Sequence, residues 1–220
     1  MPDPARWVCL DVGETLIDET RIWSIWADVL GVTRLTFMAA MGAAIARTGE
    51  FRDAFALVDK PDYDAYRSQV REAYGGFRSE DLYPDALPAL DALRAAGYRL
   101  AVVANQPAYR TAELRALGIE PEVMAMSEEL GVQKPEPAFF GRCLELMGSP
   151  PAGQVTYVGD RLDNDVWPAS AAGMRAVWLL RGPWAFIDRA EPPPATLVLR
   201  SLDELVDRLA GWWDGAEVAD

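Results

Sequence analysis

Short, unbroken apolar runs that each stop at a polar residue recur along most of this chain. They are Trp7-Val8-Cys9-Leu10 before Asp11 and Leu100-Ala101-Val102-Val103-Ala104 before Asn105; a further strand, Val155 to Val158 with Thr156 inside it, stops in the same way at Gly159-Asp160. Four or five consecutive apolar residues without polar alternation suit strands buried on both faces. Further strands are predicted at 122–126, 176–180 and 197–199. Helical patterns lie between them: Leu87, Leu90 and Leu93 before Gly97, then 107–117 before Gly118, then Phe139, Phe140, Cys143, Leu144 and Met147. A capping box, Ser201 with Glu204, opens a last helix over Leu202, Leu205, Val206 and Leu209. Strands alternating with helices predict a doubly wound, Rossmann-like α/β fold with a parallel sheet covered on both faces.

One stretch breaks the alternation. Between about 17 and 82 the apolar spacing is helical throughout, at Ile22, Ile25, Trp26, Val29 and Leu30 before Gly31, at 35–47, and at 64–74 before Gly75-Gly76. The expected organisation is a core from 1–16 and 83–220, with a small all-helical domain, 17–82, inserted after the first strand.

Composition narrows the chemistry. The chain has 21 Lys and Arg against 34 Asp and Glu, a net charge of −13, so nucleic acid and anionic membranes are not expected partners. There is no histidine, which excludes Ser-His-Asp and Cys-His catalysis and imidazole metal sites. Two cysteines, Cys9 and Cys143, make no disulfide framework. The start, Met1-Pro2-Asp3-Pro4, has no signal-peptide pattern and no apolar run approaches a membrane span, so a cytoplasmic protein, monomer or homodimer, is expected.

In a doubly wound fold ligands bind where strands end, near the switch in strand order. The residues there are Asp11, Asn105-Gln106 and Gly159-Asp160, joined by Lys134 in Gly131-Val132-Gln133-Lys134-Pro135. Four segments in this order resemble the haloacid dehalogenase superfamily: 10–16 (LDVGETL), 100–105 (LAVVAN), Lys134-Pro135-Glu136-Pro137, and 158–165 (VGDRLDND) running into Ala171-Ala172-Gly173-Met174. The resemblance covers nearly the whole chain, and the helical insert is similar to the C1-type cap of that superfamily.

What the resemblance implies is a hydrolase, for most members a Mg²⁺-dependent phosphatase of a small phosphorylated metabolite. Asp11 would attack phosphorus and carry an aspartyl-phosphate. Asp11, the backbone carbonyl of Gly13 and Asp160 would hold Mg²⁺, with Asp165 as a further partner in the same loop. Lys134 would neutralise nucleophile and phosphate. Backbone N–H groups of Asn105 and Gln106 would contact the phosphoryl oxygens, although Asn105 also reads as a turn residue.

Two positions depart from the family pattern. The superfamily's phosphatases carry a second aspartate two residues after the nucleophile as general acid–base, and here that residue is Gly13; the adjacent Glu14 is a candidate substitute. Ala104 stands where a Ser or Thr usually binds phosphate. Trp23, Trp26, Phe37, Met38 and Met41 read as packing of the insert, with a pocket over Asp11 as the alternative, and Arg21 and Arg161 read as surface residues or anion ligands. A metal-independent 2-haloacid dehalogenase also lacks the second aspartate but generally loses the acidic motif kept at Asp160 and Asp165. A binding or regulatory protein on a weakened hydrolase scaffold is the remaining alternative.

Overall fold

The first apolar run becomes the middle of the molecule. In the computed structural model, which describes residues 6–187 and 190–215, β1 (Trp7–Leu10) is flanked on both sides by parallel neighbours. Residues 1–5, on which the reading of a missing signal peptide rests, lie outside that range. The other strands are β2 (Arg99–Ala104), β3 (Val123–Met126), β4 (Val155–Gly159), β5 (Arg175–Leu179) and β6 (Leu197–Leu199). All pair in parallel in the order β3-β2-β1-β4-β5-β6, with Leu10 beside Val102 on one side and Val158 on the other. Strand order reverses at β1, which places the crevice of a doubly wound sheet at the carboxyl ends of β1 and its neighbours.

The helices are α1 (Thr20–Leu30), α2 (Arg34–Thr48), α3 (Asp53–Leu57), α4 (Tyr63–Tyr74), α5 (Ala86–Ala95), α6 (Arg110–Ala116), α7 (Ser127–Leu130), α8 (Pro137–Leu146), α9 (Trp167–Ala171), α10 (Gly182–Ile187) and α11 (Leu202–Trp213), and those after α4 cover both faces of the sheet. Successive strand residues point to opposite faces, so β1 divides its side chains between two cores. Val8 and Leu10 pack with Leu90 and Leu93 of α5, Leu114 of α6, and Leu205 and Leu209 of α11. Trp7 and Cys9 pack with Phe139, Phe140 and Cys143 of α8 and Ala169 of α9.

Helices α1 to α4 gather around a third core of Trp26, Phe37, Met41, Phe55 and Val70. Local chemistry sets their ends. The Thr33 hydroxyl accepts from Thr36 N–H at the start of α2, and Asp62 accepts from Ala65 N–H at the start of α4. Gly31 ends α1 at φ 69°, a left-handed conformation that costs glycine little. The chain leaves and re-enters the sheet layer side by side: Ile17 bridges Leu82, Asp18 N–H donates to Asp81 O at 2.7 Å, and Tyr83 N–H donates to Leu16 O at 3.0 Å.

Several elements differ from the sequence expectation. Helix α6 begins at Arg110 rather than 107, because Pro107 and Ala108 form a turn whose carbonyls accept from Arg110 and Thr111. The short helices α3, α7 and α10 have too few turns to show a period. Among the described residues no single helix is long and apolar enough to cross a membrane.

Candidate active site

Asp11 is the first residue beyond β1, and its backbone N–H donates to Val158 O at 2.9 Å, which ties it to the end of β4. Lys134 arrives from 29 residues beyond Asn105 and is gripped by that side chain at both backbone atoms. Asn105 Oδ1 accepts from Lys134 N–H at 2.8 Å, and Asn105 Nδ2 donates to Lys134 O at 2.9 Å. This grip sends the lysine into the sheet end, where its buried Nζ lies 2.8 Å from Asp11 Oδ1 and 2.5 Å from Asp165 Oδ1. Burial alone would push the ammonium's pKa down, but the Asp11 and Asp165 carboxylates reverse that and hold it well above its ordinary value.

The sequence spacing places Asp165 in one loop with Asp160. Instead residues 162–166 form a wide helical turn that runs into α9, and Asp165 projects back from it to accept Arg161 N–H at 3.0 Å. Acidic residues at the start of a helical segment are favoured by its dipole, and Pro168 suits the first turn of α9. The return needs a bare backbone at residue 159, because a Cβ on Gly159 would lie 2.4 Å from Asp165 Cγ.

Asp11, Asp160 and Asp165 thus meet at one strand end, offering carboxylate oxygens that all lie within 4.8 Å of one another. Burial, then the neighbouring Asp165 and Asp11 charges, push the Asp160 carboxyl well above the ordinary carboxylate range. Asp165 is pushed up to about 6, chiefly by burial, with Lys134 opposing. Asp160 Oδ2 is buried with no hydrogen-bond partner, an arrangement that costs roughly 1–3 kcal/mol or more for a charged group. Three acids, one ammonium and an orphaned oxygen fit a hard divalent cation with oxygen ligands.

Around residue 13 the structure separates two glutamates. Glu14 adopts φ 50°, and its buried carboxylate is committed: Oε2 accepts from Tyr83 OH at 2.5 Å and Oε1 accepts from Glu19 N–H at 3.0 Å. Its pKa is raised by burial against the pull of those bonds. Glu14, the candidate substitute acid–base, therefore has the geometry of a support. Glu19, which belongs to no motif, lines the cleft with Asp11, Gly13 and Lys134. Its Oε2 accepts from Trp23 Nε1 at 3.2 Å, and burial followed by the charge of Glu14 pushes its pKa up to about 8.

The second strand end is more constrained than expected. Gln106 N–H already donates to Ala104 O at 3.0 Å, so contact with a phosphoryl oxygen would compete with this bond. Arg21 is no anion ligand: it donates twice to Asp81 and once each to Tyr74 O and Gly76 O. Arg161 pairs with Asp163 at 2.6 Å and stacks over Trp184 at the cleft wall.

The cleft has a volume of about 740 Å³ and runs from the acids to the underside of α1, where Trp23, Trp26, Phe51, Tyr63 and Trp184 line it. Phe37 and Met41 are buried in the helical core, as the packing reading expects, and Met38 is half-buried; Trp23 and Trp26 serve both core and cleft. Arg110 and Trp184 were also missed. Arg110 sits behind Tyr109 in a short helix, and Trp184 crosses from α10 into the core of the helical insert.

A parallel doubly wound sheet with a lysine-paired aspartate and two further acids at the strand ends defines a hydrolase site built on carboxylates. The sequence profile of the haloacid dehalogenase-like hydrolases matches residues 5–173, and the chain belongs to that family. It is 41% identical over 103 residues to a glyceraldehyde 3-phosphate phosphatase of Methanopyrus kandleri, a match covering 46% of this chain and 44% of that protein. The chain thus spans under half the length of that relative. It is 30% identical to a phosphoserine phosphatase of Thermus thermophilus, covering 80% of this chain and 73% of the relative. A crystal structure of a HAD phosphatase from Thermococcus onnurineus superposes with a TM-score of 0.60 at 26% identity, over 94% of this chain and 98% of the other.

Proposed function

We propose that this protein is a Mg²⁺-dependent phosphatase of small phosphorylated metabolites, acting through an aspartyl-phosphate on Asp11. The observation that carries the reading is the convergence of Asp11, Asp160 and Asp165 around Lys134, with the Asp160 Oδ2 atom left without a partner. Asp11, the Gly13 carbonyl, Asp160 and Asp165 would hold the ion, which supplies charge neutralisation for an anion attacking an anion.

The protein's own groups have distinct jobs. Lys134 occupies one Asp11 oxygen, which orients the carboxylate and presents its other oxygen to phosphorus. As the new O–P bond forms, the bond to the leaving oxygen breaks, and the ammonium offsets charge on the equatorial oxygens. Asn105 acts through Lys134 by fixing its backbone. Helices of residues 17–82 serve as a cap, and the aromatic wall from α1 and α10 excludes water above Asp11.

Turnover of p-nitrophenyl phosphate with and without Mg²⁺ tests this. Wild type should require the ion, and Asp11→Asn should lose at least about a thousandfold, or about 4 kcal/mol of transition-state stabilisation. Equal slow turnover by both proteins removes the proposal. Metal-independent chloride release from a 2-haloacid would replace it with the dehalogenase reading, which the retained acids disfavour.

A further inference from the structure

The family's second aspartate is missing from the sequence at position 13, but the space it would use is filled. A Cβ built on Gly13 would lie 2.5 Å from Glu19 Oε1 and 3.0 Å from its Cδ. The Glu19 carboxyl therefore stands where a side chain at residue 13 would project, and a side chain there would displace it. We infer that Glu19 is the general acid–base of this site, delivering from the start of α1 the carboxyl group that residue 13 lacks. The inference rests on the phosphatase reading above.

The carboxyl is held as a reacting group must be. Tyr83 OH donates to Glu14, Glu14 accepts the Glu19 backbone N–H, and Trp23 Nε1 donates to Glu19 Oε2. These bonds fix the backbone of Glu19 and one carboxyl oxygen, while Oε1 is directed at Gly13. Glu19 shares its cleft with Asp11, Lys134 and Asp160. Glu14 and Trp23 are positioning residues in this arrangement, since they act through Glu19.

In the first step the Asp11 oxygen bonds to phosphorus, the ester P–O bond breaks, and the Glu19 carboxyl gives its proton to the departing oxygen, releasing an alcohol. In the second, Glu19 takes a proton from water as that water's oxygen bonds to phosphorus. The Asp11–phosphorus bond breaks, inorganic phosphate leaves, and both carboxyl groups return to their starting forms.

Leaving-group dependence tests this role. Nitrophenolate departs without a proton, whereas an alkoxide needs one. In rapid-mixing experiments Glu19→Gln should still release a burst of nitrophenolate and then stall, because the aspartyl-phosphate is no longer hydrolysed efficiently. With a simple alkyl phosphate the same variant should lose the first step as well. The ratio of alkyl to nitrophenyl first-step rates should fall about 10²–10⁴-fold. A second variant guards against misfolding: Gly13→Asp with Glu19→Ala puts a carboxyl back into the same space and should recover the alkyl phosphate hydrolysis that Glu19→Ala alone loses.

An unchanged ratio in Glu19→Gln, or a double variant as poor on alkyl phosphate as Glu19→Ala alone, overturns the assignment. Failure of the parent reading looks different, since wild type itself would then be inert on p-nitrophenyl phosphate or indifferent to loss of Asp11.

Discussion

Asp81 and Asp160 are each only 3% exposed, yet Asp160 lies deeper in the protein and their carboxyl groups are driven in opposite directions. Burial pushes both upward. At Asp81 hydrogen bonds outweigh it: Arg21 donates from Nε at 2.6 Å and Nη2 at 2.5 Å, Arg78 N–H at 2.8 Å and Tyr74 OH at 3.3 Å. At Asp160 the neighbours Asp165 and Asp11 add to it, and Oδ2 has no partner at all. A saturated carboxylate is a fastening, here locking α1 to the segment that returns from α4. An unsaturated one, held among like charges, stores a demand for a cation, and such unmet demands concentrate where a fold does chemistry.

The largest effect should come from removing the unsaturated acid. Asp160→Asn should cut Mg²⁺-dependent p-nitrophenyl phosphate turnover by at least about a thousandfold. The same change relieves repulsion, so Tm without metal should rise by about 2–4 °C, the shift expected of roughly 1 kcal/mol in a domain of this size. Lower stability would mean that Asp160 is a fastening like Asp81, and the contrast would be broken. Asp81→Ala should behave in the opposite way. It strands Arg21 and should cost about 3–5 kcal/mol, measured as a fall in the urea midpoint at constant slope, while the folded protein keeps its turnover.

Metal titration sharpens the contrast further. Mg²⁺ at about a hundred times its Kd should stabilise wild type by about 2.7 kcal/mol, and this gain should vanish in Asp160→Asn but persist in Asp81→Ala. Gly159→Ala probes the close approach behind the acids. Its Cβ would meet Asp165 Cγ at 2.4 Å, so a loss of about 1–3 kcal/mol from overpacking should accompany loss of turnover. Full activity in that variant would show that Asp165 can move without consequence.

The strand-end residues were legible because burial writes itself into sequence: a run such as Leu100 to Ala104 has no polar residue until it leaves the sheet at Asn105. Order along the chain then located Asp11, Lys134 and Asp160. Contacts made by loops were not legible. Glu19 reaches Gly13 because Glu14 turns through φ 50° and Ile17 bridges back to both Gly13 and Leu82, a path without periodicity. Asn105 reads locally as a turn residue, and only folding brings it to the Lys134 backbone. The helical turn carrying Asp165 looks like loop in the sequence because five residues are too few to display a period, although the acids at 163 and 165 and Pro168 are its available signals.

The smallest effect is also the most specific to the fastening. The folded-state pKa of Asp81 lies below its unfolded value, which is about 3.9 for a free aspartate. The folded protein therefore binds that proton less readily than the unfolded chain does. Its contribution to stability is fully present above the unfolded pKa and is lost as pH falls through the folded one. Urea midpoints of wild type and Asp81→Asn, followed from neutral pH into this acid range, should converge as the pH drops. Other carboxylates far from this pair largely cancel in the difference. Curves that stay parallel would show that Arg21 holds the charged and protonated forms equally well, leaving burial as the sole feature shared by the two aspartates and erasing the electrostatic distinction between them.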